Sequence, residues 1–331
     1  MKSFQYASPN SDRQALGLLG NSLDEAAVFA GGTDLLSLMK DDVISPKRLV
    51  NIKQVPGLDK VRVDSSGLHA GALVRIQDFA DNVEVQRRFP LIAWAADEAA
   101  SPQIRHMATM GGNLCQRPRC WYFRNGFGLL ALKDGKSLVE EGDSRYHAIF
   151  GNDGPAKFVS PSTIAPALIV HNAKLRILGA NGPREVELEK FFVIPRSENE
   201  REHDLKPNEI VAEILVPPAP AGMKTAQYEV RQKVEFDWPL AVASVGLQMS
   251  GNTVRQARVV LGHVAPIPWV SQEAAQALEG KTITEQTADE AGKAAVSQAR
   301  GLGRNNYKIR LARVAVKRAV LKAAGMWKEE A

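Results

Sequence analysis

The stretch AVFAGGTDLLSLMK, residues 27–40, constrains the fold of this 331-residue chain more than any other. An apolar run over 26–30 stops at Gly31-Gly32 and resumes with Leu35, Leu36, Leu38 and Met39 at helical spacing, with Thr33 or Asp34 at the capping position. The pattern is strand, bare turn, helix. Glycine has no Cβ, so it lets another group approach the backbone closely and it tolerates positive φ. Unpaired amides at a helix start, with the positive end of the helix dipole, make an anion site. The loop is neither a P-loop, since no Gly-Lys-Ser/Thr follows, nor a G-x-G-x-x-G turn. Alone, it reads equally well as a tight capped turn. A second loop, Thr109-Met-Gly-Gly-Asn113, again sets two glycines beside a threonine, and alone it reads as a glycine turn at a strand end. Two such loops in one chain fit a ligand with two phosphates and long organic arms.

The length exceeds that of one typical domain, so two are expected. A helix capped by Asn10 or Ser11 runs to Leu18-Leu19 and is closed by Gly20; strands are expected over 48–52, 67–73 and 173–178, and helices over 90–100 and 164–169, the latter capped by Ser162 or Thr163. The proline-rich stretch 216–222 continues neither regular element and marks a boundary. Strand-like runs follow over 225–230, 240–249 and 254–262, then helical patterns over 269–278, 285–299 and 307–324. Strands followed by helices indicate a separate α+β unit with one sheet face covered. The segments 64–67 and 125–151 read as loops. The basic residues of the last helix, Lys308, Arg310, Arg313, Lys317 and Arg318, are expected on a solvated or subunit-contacting face.

The net charge of +5 is spread among acids rather than clustered, which argues against a nucleic-acid surface. No apolar run approaches the roughly 20 residues that cross a bilayer, and MKSFQYASPN has no apolar segment after its lysine. Cytoplasmic residence is expected, with periplasmic export on a signal-bearing partner as the alternative. No histidines fall at metal-ligand spacing and no Gly-x-Ser-x-Gly elbow occurs.

The two loops together resemble the FAD-binding subunits of the molybdenum hydroxylases, the xanthine dehydrogenase family, through 29–40 and 108–113. The resemblance continues in 229–244, in Leu261-Gly-His-Val-Ala-Pro-Ile-Pro-Trp269 and in Asn306-Tyr-Lys-Ile-Arg310, so it covers nearly the whole chain. Gln116-Arg-Pro-Arg-Cys-Trp-Tyr-Phe-Arg124 and Tyr146-His-Ala-Ile-Phe150 point to the bacterial aldehyde oxidoreductase branch. The resemblance implies an α+β fold: a two-lobed vanillyl-alcohol-oxidase-like (PCMH-type) FAD domain over 1–218, with lobes about 1–54 and 55–218, then a smaller α+β domain of the carbon monoxide dehydrogenase flavoprotein type over 223–328.

It further implies that Phe29, Ala30, Gly31, Gly32, Thr33, Asp34 and Leu35 hold the pyrophosphate, and that Thr109, Gly111, Gly112 and Asn113 contact the cofactor from the other side, with Cys115 and Gln116 near. Two departures stand out. Glu229 occupies the place of a lysine that in relatives reaches the flavin, with Arg231 or Lys233 as candidate substitutes, and Thr163 stands where an aspartate is common. No side chain need act as acid or base. The implied partners are a large molybdopterin subunit, a small [2Fe–2S] subunit and an acceptor such as NAD, oxygen or quinone. The alternatives are a stand-alone FAD oxidoreductase of this fold and a subunit of an aromatic acyl-CoA reductase complex. Some relatives hold an iron–sulfur cluster near 115–120; Cys115 and Cys120 are two thiols where four are needed, so two reduced, largely buried cysteines are expected. The interleaved aromatics and arginines of 117–127 read as a wedge between lobes, or as a face docking the iron–sulfur partner.

Overall fold

A computed structural model describes residues 1–233 and 237–327; three residues of the 229–244 signature and the end of the expected second domain lie outside the described residues. The first lobe is a small parallel sheet of β1 (Gln5–Ala7), β2 (Ala27–Phe29) and β3 (Arg48–Asn51) in the order β1-β3-β2. Its first helix, Asp12–Leu18, is capped by the Ser11 hydroxyl, which accepts from the Gln14 N–H at 3.3 Å.

The second lobe begins with the hairpin β4 (Val61–Asp64) and β5 (Gly67–Gly71). The expected loop 125–151 contains a short hairpin, β6 (Leu132–Lys133) and β7 (Lys136–Ser137), and a helical turn Leu138–Glu141. Asp134 and Gly135 both take positive φ, 50° and 77°, the two-residue turn that suits paired strands. Strands β8 (Lys174–Gly179), β9 (Gly182–Glu187) and β10 (Ile210–Val216) complete an antiparallel sheet of order β4-β5-β10-β8-β9. Helices Pro90–Asp97 and Ile164–Val170 cover it, burying Phe79, Phe89, Ile92, Leu168, Leu175 and Ile214 in one core. Each such side chain contributes about 1.5–3 kcal/mol by leaving water.

The third unit is the antiparallel sheet β11 (Met223–Val230), β12 (Ala241–Ser250), β13 (Thr253–Gly262) and β14 (Trp269–Val270). Helices Gln272–Leu278, Glu285–Ala295 and Tyr307–Ala323 pack on one face through Leu278, Val316 and Val320 against Val245, Leu247 and Val259. Residues 269–270 extend the sheet instead of starting a helix, because Trp269 pairs with Leu261 and the Ser271 hydroxyl caps the helix after it. Lys308 does not lie on a solvated face. Its Nζ is buried and donates to the carbonyls of Tyr146 (3.3 Å), His147 (3.2 Å) and His263 (2.7 Å), which ties 146–147 to this unit. The Ile149 N–H donates to the Val264 carbonyl at 2.8 Å, so the segment after the β6–β7 hairpin packs on the third unit as well.

Candidate functional site

Both glycine loops line a single cleft of about 450 Å³ between the first two lobes, within the ~300–1,000 Å³ usual for ligand clefts. Ala30 through Leu35 form one wall, and Thr109, Gly111, Gly112, Asn113, Cys115, Gln116 and Thr163 lie on the other. The loops also touch. A Cβ on Gly31 would sit 2.0 Å from the Met107 carbonyl oxygen and 3.2 Å from the Ala108 Cα, so the lobes meet at a point where only glycine fits. Gly32 has φ +76°, and a Cβ there would sit 2.6 Å from the Phe29 ring. Phe29 itself is not in the cleft wall. Its ring supports the loop, with Lys53 Nζ 4.0 Å above it and hydrogen-bonded to the Ala30 carbonyl at 3.0 Å.

The two backbones differ in what they offer. Among the described residues, the N–H groups of Gly32, Thr33, Asp34 and Leu35 have no acceptor, while the carbonyl of Gly32 accepts from Leu36. In the second loop the expected free amides are absent: Met110 N–H donates to Val74 (2.9 Å), Gly111 N–H to Ala72 (2.9 Å), and Gly112 N–H to the Thr109 hydroxyl (3.2 Å). Thr109 caps the helix Met110–Leu114, so its side chain faces its own backbone. What the second loop gives the cleft is a close-packed wall, with Ala72 and the Thr109 hydroxyl against its glycines, and the Asn113 amide. Asn113 Oδ1 accepts from the Ser162 hydroxyl at 2.6 Å, which fixes the amide's orientation.

Asp34 has a different role from a phosphate contact. One carboxylate oxygen meets Arg124 at 2.8 Å and Arg119 at 3.1 Å, and the other accepts the Arg117 N–H at 2.8 Å. A carboxylate would repel phosphate in any case; here it fastens the 117–124 segment beneath the loop. Gln116 is likewise engaged, donating to the Asn113 carbonyl at 3.0 Å and accepting from Arg119 at 3.3 Å. Thr163 Oγ1 lies 3.3 Å from His263 Nε2, and Trp238, stacked on Arg119 at 4.7 Å, adds an aromatic wall. Burial pushes the Cys115 thiol up to about 12 and raises that of Cys120, so both are protonated at neutral pH and neither is an activated nucleophile. Cys120 Sγ lies 3.2 Å from His147 Nε2, and both cysteines are free.

Glu229 lies outside the cleft lining. Burial raises its pKa, but it is ion-paired with Arg231 and accepts from Gln227 Nε2 at 2.7 Å. Arg231 also donates to the Glu98 carbonyl at 2.6 Å, beside Ala99 and Ala100 of the cleft wall. Of the two candidate substitutes, Arg231 is therefore already neutralised, and Lys233 lies outside the cleft lining. Sequence reasoning did not single out the positive groups that do line the cleft alongside Arg117 and Arg119, namely Arg201 and Lys206. Nothing local marks them, because only the return of 201–211 along the second lobe brings them to the cavity.

The arrangement suits a dinucleotide. A row of free amides faces the cavity, close packing on Met107 and Phe29 demands glycine at 31 and 32 and so holds that row in place, and cations outnumber carboxylates left unpaired. Residues 2–219 match the family described as the FAD binding domain in molybdopterin dehydrogenase, and residues 226–323 match the CO dehydrogenase flavoprotein C-terminal domain. The chain is 34% identical over 281 residues to the aldehyde oxidoreductase FAD-binding subunit PaoB of Escherichia coli K12, covering 81% of this chain and 84% of that one. It is 30% identical to the carbon monoxide dehydrogenase medium chain of Hydrogenophaga pseudoflava, over 96% of both. The solved carbon monoxide dehydrogenase of that organism superposes with a TM-score of 0.77 at 28% identity, over 99% of each chain.

Proposed function

Since the chain belongs to the family of FAD-binding subunits of molybdopterin dehydrogenases, with FAD as its cofactor, we propose that it passes electrons from an iron–sulfur partner to an external acceptor. In this reading a large molybdopterin subunit oxidises the organic substrate, a small [2Fe–2S] subunit relays the electrons, and the acceptor is NAD, oxygen or a quinone. The observation that carries it is the row of free N–H groups from Gly32 to Leu35 facing a cleft shared with the second glycine loop. Bound FAD supplies the electron chemistry. The chain holds and orients it. The amides of 32–35 meet the diphosphate, Thr33 adds an exposed hydroxyl, and Gly112, Asn113 and Thr163 shape the opposite wall. Asp34 acts indirectly, by fixing the arginines below the loop.

The relatives' names, a FAD-binding subunit and medium chains, support the multi-subunit assignment. Among the described residues no helix is long and apolar enough to cross a membrane. Purification of the untagged complex from its native host is the test. Molybdenum, iron and flavin co-eluting with this chain and two others support the proposal. A monomer that turns over an organic substrate by itself would establish the stand-alone oxidoreductase instead.

A further inference from the structure

Four cationic side chains line the cleft: Arg117, Arg119, Arg201 and Lys206. Arg117 pairs with Glu202 at 2.5 Å, and Arg119 pairs with Asp34 and stacks on Trp238. Lys206 is exposed to water. Arg201 differs from the two arginines in making no ion pair and no hydrogen bond with any described residue, and from Lys206 in being drawn out of water; its Nε, like those of Arg117 and Arg119, is buried without a hydrogen-bond partner. Burial lowers its pKa, opposed by the charge of Glu202 nearby. That carboxylate is ion-paired with Arg117, although neither of its oxygens is hydrogen-bonded, so two guanidiniums share one carboxylate and the group carries one positive charge in excess at the cavity wall. An uncompensated buried charge destabilises the fold unless something bound there matches it. Across the cleft the first loop offers amides, while the second loop's amides are closed on themselves. Arg201, close to Cys115 at the end of the second loop's helix, supplies positive charge beside that loop, away from bulk water, where Arg117 and Arg119 are already paired.

We propose that the Arg201 guanidinium is a counter-ion for FAD, meeting an anionic oxygen of the bound dinucleotide. The proposal rests on FAD lying in this cleft. Two parts of the cofactor have the required chemistry: the diphosphate, which is always charged, and the pyrimidine edge of the ring system, which gains negative charge on reduction. Charge-assisted hydrogen bonding of this kind is worth roughly tenfold to a hundredfold in affinity.

The test uses the full chain, stripped of FAD and titrated with it, as wild type, Arg201→Met and Arg201→Lys, with the flavin reduction potential measured on each reconstituted protein. Contact with the diphosphate weakens binding of oxidised FAD about tenfold or more in Arg201→Met, with partial recovery in Arg201→Lys. Contact with the ring edge leaves that affinity in place and lowers the potential, by about 30 mV for each tenfold loss of preference for the two-electron-reduced form. In either case the FAD-free Arg201→Met protein melts higher than FAD-free wild type, because the unmatched charge is gone. A purely structural arginine would lower that melting temperature. Wild type that takes up FAD, with Arg201→Met unchanged in both affinity and potential, overturns the proposal and leaves the cofactor site standing. Wild type that fails to take up FAD overturns both. Should Arg201→Met fail to fold, the affinity and potential of Arg201→Lys decide alone, and wild-type values for both overturn the proposal.

Discussion

In the first glycine loop four successive N–H groups, Gly32 to Leu35, have no acceptor among the described residues; in the second, Gly111 and Gly112 donate to Ala72 and to the Thr109 hydroxyl. The two segments share a Thr, Gly, Gly composition and line one cleft, yet one presents free backbone amides and the other has its amides closed and offers the Asn113 side chain. Position relative to the neighbouring sheet makes the difference. The second loop packs on residues 72–74, just past the end of β5, whose carbonyls take its amides, whereas the first projects beyond the end of β2 with no strand alongside. A glycine pair thus states where backbone lies bare without stating whether its hydrogen-bonding groups are free.

Substitutions can break this contrast, and the largest effect belongs to the first loop. Gly32→Asp sets a carboxylate among the free amides and a Cβ against Phe29, and purified protein should lose its flavin absorbance; a full flavin complement would show that this loop is not the phosphate site. Asp34→Asn leaves Arg119 and Arg124 without their shared anion and should cost about 3 kcal/mol of stability, read from the urea midpoint. The threonines sharpen the comparison. Thr109→Val removes a helix cap and should cost the FAD-free protein about 1 kcal/mol, while Thr33→Val should leave that stability unchanged and weaken FAD binding several-fold, measured by titration.

A pH-dependent effect concerns the remote support of the second wall, where Lys308 holds the carbonyl of His263, the residue facing Thr163. Burial lowers the lysine's pKa from 10.5 to about 7. Between those values the unfolded chain holds a proton that the folded chain has released, so stability rises as pH climbs from 7 toward 10.5, and the penalty is complete below 7. Urea midpoints at pH 7 and 9 check this, with Lys308→Met as the variant in which the lysine's share of the slope is gone.

Much of the fold was legible where periodicity is local. The runs at 26–30, 48–52 and 254–262 appear as strands, and the Ser11 and Ser271 caps follow from residue type, although Ser271 was passed over in favour of a longer helix. The Asp134-Gly135 pair carries a turn signal as well, inside a stretch that otherwise reads as loop. The loops' shared cleft follows from their like chemistry and the family resemblance together. The roles of individual groups were less accessible. Asp34 meets arginines 83 to 90 residues away, and Lys308 meets a carbonyl 45 residues away, so no local pattern reports either. Glu229 stands where relatives carry a lysine, but Arg231, two residues on, pairs with it and it lies outside the cleft lining, which the motif does not report.

The grip of Arg231 on the Glu98 carbonyl crosses from the last sheet to the turn forming part of the cavity wall. A chimera that exchanged residues 1–219 between two relatives would transplant the amides and both glycine pairs but sever this strut, so the grafted portion would arrive with one side of its cofactor berth unbraced. The portion recognised as FAD-binding and the portion that keeps it in shape are different stretches of polypeptide, and an engineer moving one must move the other.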